Sequence, residues 1–303
     1  MSKRWVLAAV LVTLAASGVA MAESSRVFVS TLGRDSATCG ALLNPCRNLQ
    51  AAVTQVKSGG EIVITDGGPY PGATLSKPVT ISAASGVGTI ALAFPGLSVS
   101  LGSRPEDVVT LRGLTLRGDT VGIVGVQLYQ GRTLQIDGCT FANMGTAVGA
   151  TTGQTVVTNT VFRNNQTGID AQAIQSGVTV GVTIEGSTFS SNNTGISATR
   201  NVTISVRSCT FADNDAAVMT FPSAGDAATV LLSHSLVANN RTGVFSNTGG
   251  GVSIIRLGDL TITGNGIGVQ ATPGTTVGTL GNNMIFNNGI DVSGSLEPAG
   301  GSR

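Results

Sequence analysis

The sequence has few charged and few aromatic residues. Of its 303 residues, 11% are charged and 4% are aromatic, and it contains one tryptophan and one histidine. The basic residues are not clustered, so the positive patch that binds nucleic-acid phosphates is missing and nucleic acid is not an expected partner. Beyond the first 22 residues, no stretch of about 20 residues is apolar enough to span a membrane, so we do not expect an integral membrane protein.

The first residues form a segment of their own. Lys3 and Arg4 precede a short apolar run from Val6 to Ala16, and Ala20-Met21-Ala22 has the small-x-small form of a signal peptidase site. This pattern predicts a signal peptide over residues 1–22. We therefore expect an exported protein, periplasmic or extracellular after cleavage near Ala22. An uncleaved N-terminal anchor is the alternative.

Cysteine is also scarce, with four residues in the chain. Cys39 and Cys46 lie close together in a loop-like stretch of a chain expected to be exported, which predicts a disulfide between them. No second pair of Cys or His follows at zinc-ligand spacing, so a zinc site is not expected. Cys139 and Cys209 fall at buried positions of the repeat described next, and we interpret them as small apolar residues.

A repeat with a short, constant core runs through the chain. A large apolar residue, the anchor, lies six positions before a glycine or alanine, as in Phe162 to Gly168 and Phe189 to Gly195. Successive anchors are 21 to 27 residues apart: Leu116, Phe141, Phe162, Phe189, Phe211, Val237, Ile262 and Ile285. Between anchors, segments such as Val202-Thr-Ile204-Ser-Val206 alternate apolar and polar residues, which predicts short strands with one buried face.

Constant strands with loops of variable length favour a coil with one repeat per turn. The predicted fold class is all-β, a single-stranded right-handed parallel β-helix (solenoid) with a short N-terminal capping helix. A β-sandwich is the alternative, although it needs no repeated motif.

From Phe141 onward, an asparagine follows each anchor by three residues, with Met144 as the exception. We predict that these asparagines stack and hydrogen-bond along the coil as a structural ladder. Some of them also lie in glycosylation sequons, which is the weaker interpretation. The predicted ladder comprises Asn165, Asn192, Asn214, Asn240, Asn265 and Asn288.

Residues 23–60 differ from the repeat. Val27 to Ser30 is strand-like, and Asn44-Pro45 has the form of a helix start. The apolar positions that follow, Leu49 to Val56, have helical spacing, and Gly59-Gly60 is predicted to end this helix. The helix would cover the open end of the coil. We therefore divide the chain into a signal peptide (1–22), an N-terminal strand and capping helix (23–60), the β-helix (61–293) and a flexible tail (294–303).

The first turns of the coil resemble a known superfamily. The run Gly59-Gly60-Glu61-Ile62-Val63-Ile64, then Pro69-Tyr70 and Lys77-Pro78-Val79-Thr80-Ile81, is similar to the start of the pectate-lyase-like β-helix proteins, and the Asn-x-Thr-Gly-Ile turns resemble their repeats. The resemblance covers residues 26 to 293. It implies the fold but not one activity, because the superfamily includes polysaccharide lyases, glycoside hydrolases, esterases, adhesins and proteins of no known activity.

A lyase of this superfamily would need clustered acidic ligands for calcium. Asp213 and Asp215 form the candidate cation site, and a solvated turn is the alternative interpretation. Asp170 follows a Gly-Ile turn, but its predicted neighbours in adjacent turns are Gly149 and Ser197, so no second carboxylate stacks on it. Hydrolases use paired carboxylates at fixed spacing, and the sequence contains no Asp-Asp pair.

Ser208, His234 and Asp259 share one repeat position, three residues before the anchor. A serine, a histidine and an acid are the parts of a nucleophilic triad. The sequence identifies no oxyanion site to accompany them, so an exposed polar ladder is the alternative.

Rings that could stack on sugars are also few. The tyrosines are Tyr70 and Tyr129, and most phenylalanines are anchors. We predict a non-catalytic, exported β-helix scaffold whose partner is a polysaccharide, a cell-surface glycan or a protein, and a polysaccharide lyase or glycoside hydrolase is the alternative. No cofactor is expected, with calcium needed only if the protein is a lyase. The repeat does not define an oligomeric state.

Overall fold

The computed structural model describes residues 23–88, 90–92, 96–102, 104, 106–118 and 122–298, and the predicted signal peptide lies outside these ranges. Within them, the chain forms three parallel sheets of 12, 10 and 10 strands that wind around one apolar core. Each strand pairs with the equivalent strand one repeat further along the chain. This confirms the predicted right-handed parallel β-helix.

Sheet I contains the strands Ser24–Val29, Val56–Ile64, Val79–Ala83, Val108–Arg112, Thr133–Asp137, Gln154–Thr158, Val180–Glu185, Val202–Arg207, Ala227–Ser233, Val252–Gly258, Thr276–Thr279 and Glu297–Pro298. Sheet II contains Gly68–Tyr70, Ile90–Leu92, Thr115–Gly118, Thr140–Ala142, Val161–Arg163, Thr188–Ser190, Thr210–Ala212, Leu236–Ala238, Thr261–Thr263 and Met284–Phe286. Sheet III contains Ala73–Leu75, Leu97–Ser100, Val124–Gln130, Thr146–Ala150, Thr167–Gln172, Thr194–Arg200, Ala216–Thr220, Thr242–Ser246, Ile267–Ala271 and Ile290–Ser293.

The anchors form a single inward-facing column in sheet II. Phe141, Phe162, Phe189 and Phe211 occupy the same register position, and their rings stack with centroids 5.4, 4.6 and 4.8 Å apart. These separations are close to the roughly 4.8 Å between neighbouring strands, because identical side chains repeat in identical orientations. All four side chains are fully buried, so this column forms the centre of the core.

The asparagine ladder is present at the turn from sheet II to sheet III. The side-chain oxygen of Asn192 accepts hydrogen bonds from the backbone N–H and the side-chain Nδ2 of Asn165, both at 3.0 Å. The Nδ2 of Asn192 donates to the backbone oxygen of Phe162 at 3.0 Å. The pattern continues through Asn288, so the predicted ladder is confirmed, and each buried amide links neighbouring turns of the coil.

Variation in repeat length is concentrated at the corner from sheet III to sheet I. There, residues 173–179 and 221–226 connect strands that are otherwise in register. From the strand Thr133–Asp137 to the strand Thr261–Thr263, the other two corners are short and are fixed by backbone geometry or by the ladder. Loops of different length therefore leave the stacking of the strands unchanged.

The N-terminal cap differs from its predicted boundaries. Helix α1 spans Leu49–Gln55 and begins after Asn48, whereas Asn44 lies in a tight turn and donates its N–H to the oxygen of Ala41 at 2.9 Å. The predicted helix start at Asn44-Pro45 was therefore wrong. The disulfide between Cys39 and Cys46 is confirmed.

The coil also begins and ends outside the predicted limits of 61 and 293. Val56 already has extended backbone angles, and the strand Val56–Ile64 continues through Gly59-Gly60 while it pairs with Ser24–Val29. A Cβ on Gly60 would lie 2.8 Å from the backbone oxygen of Ser25, so this glycine permits close strand pairing rather than ending a helix. At the other end, Glu297–Pro298 pairs with Thr276–Thr279, so part of the predicted tail belongs to sheet I.

Helix α1 covers the first turn of the coil with Leu49, Ala52 and Val53, which are buried. Among the described residues, no helix has the length and apolarity needed to cross a membrane.

We predict that Asn214→Ala lowers the free energy of unfolding by about 2–4 kcal/mol, because it leaves buried donors and acceptors in two neighbouring turns without partners. Urea denaturation followed by circular dichroism measures this loss. Asn288→Ala is the matched control, since Asn288 is at the partly exposed end of the ladder and its loss is expected to be about 1 kcal/mol. Equal losses in the two variants would contradict a cooperative buried ladder.

Candidate functional site

The outward side of sheet III, together with the residues that follow its strands, presents a carboxyl group, amide side chains and exposed aromatic rings, and it is the candidate binding site. We call it the sheet III face and define it by two columns of side chains that run along the coil. The first column is Gln127, Gly149, Asp170, Ser197, Met219, Phe245 and Gln270. The second lies two residues further along the chain and comprises Tyr129, Thr151, Gln172, Thr199, Phe221, Asn247 and Thr272. A β-bulge in the strand Thr194–Arg200 places Arg200 opposite Gln172.

Asp170 is the carboxyl group of this face. It is partly buried between Gly149 and Ser197, and the Nε2 of Gln172 donates to its Oδ2 at 2.8 Å. Burial raises the pKa of Asp170, and the hydrogen bonds from Gln172 and Ser197 oppose this shift only in part. Desolvation disfavours the charged carboxylate because burial removes it from water. Gly149 and Ser197, its neighbours in the column, supply no cation that would oppose this effect.

Gln127 covers the space next to Asp170. A Cβ on Gly149 would lie 2.0 Å from the Oε1 of Gln127, so the glutamine side chain lies flat across the glycine. The Nε2 of Gln127 donates to the Oγ1 of Thr151 at 3.4 Å. The glycine therefore allows an amide from one turn to reach polar groups of the next turn.

Aromatic and apolar side chains accompany these polar groups. Tyr129 is 49% exposed, and Phe221 is 44% exposed with its ring near Gly249. Phe245 and Met219 are partly exposed and adjacent in the first column. Exposed rings beside amide groups are typical of surfaces that bind ligands with both apolar and hydroxyl-bearing faces.

The edges of the face carry charges that are already paired. The Nε of Arg200 lies 3.4 Å from the Oδ2 of Asp226, at the corner where loops 173–179 and 221–226 enclose a cleft of about 320 Å³. At the opposite edge, the Nη2 of Arg241 donates to the Oδ2 of Asp215 at 2.9 Å. Each arginine of these edges thus has an acidic partner from a neighbouring turn.

The Arg241 pair also bears on the predicted cation site. The guanidinium contacts both carboxylate oxygens of Asp215, and these hydrogen bonds are the main reason that the pKa of Asp215 is lowered. Asp213 has a left-handed backbone with φ of 59°. The oxygens that a calcium ion would need from Asp215 are therefore shared with Arg241, and calcium binding there stays a prediction.

Ser208, His234 and Asp259 lie at the turn from sheet I to sheet II rather than on a strand. Their φ angles are 54°, 50° and 52°, in the left-handed region that glycine occupies in other turns of the coil. The Nε2 of His234 lies 3.2 Å from the Oδ2 of Asp259, and both side chains are about half exposed. Among the described residues, no hydrogen bond joins the Ser208 hydroxyl to His234. The structure therefore brings His234 and Asp259 into contact. The interpretation of Ser208, His234 and Asp259 as a catalytic triad stays a prediction.

Asp259 has a further partner that fits a polar ladder. The Nδ2 of Asn282 in the next turn donates to the Oδ1 of Asp259 at 2.6 Å. The side chains of His234, Asp259 and Asn282 thus follow one another along the corner.

The buried cysteines do not supply a nucleophile. Burial raises the pKa of the thiols of Cys139 and Cys209 to about 11, so both are protonated at neutral pH. The group of Asp35, Cys39 and Cys46 is the cluster of potential metal ligands among the described residues, but its two cysteines form the disulfide. Neither feature offers a reactive site.

Sequence reasoning missed the aromatic part of the sheet III face, because it assigned most phenylalanines to the core. Phe221 and Phe245 do not occupy anchor positions, and the alternation along the strand was a usable signal. Val244 points inward, so Phe245 must point outward.

The three stacked parallel sheets make this protein a right-handed parallel β-helix. Residues 100–258 match the family described as "right handed beta helix region", and the chain belongs to this family. No curated protein sequence matches significantly.

Solved structures with the same fold include an alginate lyase from Paenibacillus sp. str. FPU-7 and a rhamnogalacturonan lyase. The first aligns with a TM-score of 0.51 and 15% identity over 82% of this chain and 96% of that chain. The second aligns with a TM-score of 0.53 and 12% identity over 90% of this chain and 87% of that chain. At these identities the likeness establishes the shared fold.

We predict that Asp170→Asn raises the melting temperature at pH 7. The folded-state pKa is raised, so burial of the ionised carboxylate costs stability above the pH at which it ionises, and this cost is absent once the carboxyl is protonated in both states. The difference between variant and wild type should therefore disappear near about pH 3.

Asp215→Asn is the control of opposite sign. The pKa of Asp215 is lowered, so its ion pair stabilises the fold at pH 7 and loses this effect as the pH falls. Calorimetry measures the melting temperatures of both variants across this pH range. If both substitutions shifted the melting temperature at pH 7 in the same direction, our interpretation would be contradicted.

Proposed function

We propose that this protein binds an extended polysaccharide across the sheet III face and does not cleave it. The observation that carries the proposal is the presence of exposed rings and amide side chains on one face, around a single, partly buried carboxyl group. We further propose that the protein is exported, as its first 22 residues indicate, and that it meets its glycan outside the cytoplasm.

The side chains of the face suit a sugar chain. The C–H faces of pyranose rings pack on aromatic rings such as Phe221 and Phe245, while hydroxyl groups both donate and accept hydrogen bonds. The amides of Gln127, Gln172 and Asn247 offer donors and acceptors in the same region. Such sites need few polar groups, provided that they are held in place by a rigid scaffold.

The repeat distance of the coil also suits a polymer. Equivalent side chains recur roughly every 4.8 Å along the axis, which is comparable to the length of one sugar unit in an extended chain. Successive turns can therefore present similar contacts to successive sugar units. The two solved structures with this fold are named as lyases that act on polysaccharides, which supports a carbohydrate as the partner.

The absence of cleavage is proposed from the isolation of Asp170. Glycoside hydrolysis generally uses two carboxyl groups on opposite sides of the bond. The neighbours of Asp170 in its column are Gly149 and Ser197, and neither can supply the second group. Calcium would also need several converging oxygen ligands, so we propose that binding is independent of calcium.

We predict that Phe221→Ala and Phe245→Ala each weaken glycan binding by about five- to tenfold, since loss of one stacked ring costs roughly 1–1.4 kcal/mol. The measurement is affinity electrophoresis or calorimetry against a panel of soluble polysaccharides, with and without EDTA. The matched control is Phe286→Ala, since Phe286 is 43% exposed but lies on the last strand of sheet II. Similar losses in all three variants would indicate nonspecific apolar contact.

A polysaccharide lyase or glycoside hydrolase is the second candidate function. The raised pKa of Asp170 favours it, because a carboxyl group shifted toward neutral pH suits acid–base catalysis. Incubation with uronate and neutral polymers would reveal it as unsaturated products or new reducing ends. If product forms and Asp170→Asn abolishes it, the protein is an enzyme and the non-catalytic proposal is overturned.

A further inference from the structure

We propose that the sheet III face selects neutral polysaccharides over uronate polymers, an inference that rests on the proposed function. The charge distribution of the coil carries this inference. Among the described side chains of the two columns as listed, Asp170 is the acidic group, and lysine and arginine are absent. A β-bulge places Arg200 opposite Gln172, and this arginine is held by Asp226 at the edge of the face.

A uronate chain carries a negative charge on every sugar unit. Proteins bind such carboxylates through arginine, lysine or a bound cation, because these supply charge-assisted hydrogen bonds or direct coordination. The sheet III face instead presents the carboxyl group of Asp170, which would repel a uronate when ionised. Its amides are suited to hydroxyl groups, which all neutral sugars carry.

The arginines at the two edges do not supply the positive charge that a uronate would need, because each is paired with an acid. Arg200 is paired with Asp226, whose other carboxylate oxygen accepts a hydrogen bond from the Nδ2 of Asn201 at 2.9 Å. Arg241 contacts both carboxylate oxygens of Asp215. A uronate that recruited either arginine would leave an acid without its partner.

The outward side of sheet I carries arginines as well as acids. It exposes Arg112, Arg207 and Arg256, and Arg132 borders a cleft of about 530 Å³ at its edge. The Nε of Arg112 lies 3.9 Å from the Oδ2 of Asp137, and Glu185 is opposite Arg207 in the neighbouring strand. A uronate polymer would therefore be expected on sheet I rather than on sheet III. The contrast between the faces makes the inference testable with matched variants.

The aromatic groups also define a length for the bound segment. Tyr129 and Phe221 each lie two residues after a member of the first column, in turns that are four apart. Four turns correspond to roughly 19 Å along the axis at about 4.8 Å per turn. Gln172 and Thr151 lie between them in the same column. A chain of about four sugar units would contact both rings, whereas a disaccharide would reach only one.

The test is calorimetry with neutral xylan, galactan and mixed-linkage glucan oligosaccharides and with alginate and polygalacturonate oligosaccharides of the same lengths, at physiological salt. We expect one neutral series to bind at least tenfold more tightly than both uronates, and its tetrasaccharide at least tenfold more tightly than its disaccharide. Phe221→Ala should weaken this binding by about five- to tenfold, and Arg207→Ala on sheet I should leave it unchanged. Asp170→Asn should reduce the ratio of the affinities for neutral and uronate ligands severalfold.

The outcomes separate the inference from the proposed function. Uronates that bind more tightly than neutral glycans, with binding weakened in Phe221→Ala, would overturn the selectivity but leave glycan binding at sheet III intact. If uronates bind and this binding is lost in Arg207→Ala instead, both the selectivity and glycan binding at sheet III would be overturned, and the site would lie on sheet I. If no member of the panel binds, the proposed function fails with the inference.

Discussion

In-register stacking of identical side chains is the constraint on which the rest of this molecule depends. At the turn from sheet II to sheet III, each asparagine amide bonds to the backbone of neighbouring turns, and the phenylalanine stack lies directly beside this ladder. A one-residue slip would turn the buried column outward and break the ladder at the same time. The phenylalanine stack and the asparagine ladder therefore fix the register of all three sheets.

Because the inner columns hold the register, the outer columns are free to differ. Sheet I exposes arginines and acids along its outward side, whereas sheet III exposes rings and amides. The corner from sheet III to sheet I also accepts loops of different length without disturbing the stack. A single repeat thus produces surfaces of different chemistry on one rigid scaffold.

The electrostatic character of the sheet III face follows from what surrounds Asp170. Small neighbours, Gly149 and Ser197, let the carboxyl group sink partly into the surface, and the side chain of Gln127 lies across the same region. Burial without a cation raises the pKa of Asp170.

The sequence by itself determined the solenoid, its register, the asparagine ladder and the disulfide. These are periodic or local features, and a repeat of side chains every turn is visible in one dimension. The limits of the cap were wrong because the pairing of Val56–Ile64 with Ser24–Val29 is a tertiary contact, which prevailed over local helix signals at Asn44-Pro45 and Gly59-Gly60.

Only the tertiary structure decided which outer side chains come together. Phe221, Phe245 and Asp170 belong to different turns, and their placement on one face depends on strand register and on loops of unequal length rather than on spacing in the chain. The pairing of Arg200 with Asp226, and of Arg241 with Asp215, likewise joins residues 26 positions apart. These contacts, which sequence spacing does not specify, determine the chemistry of the face.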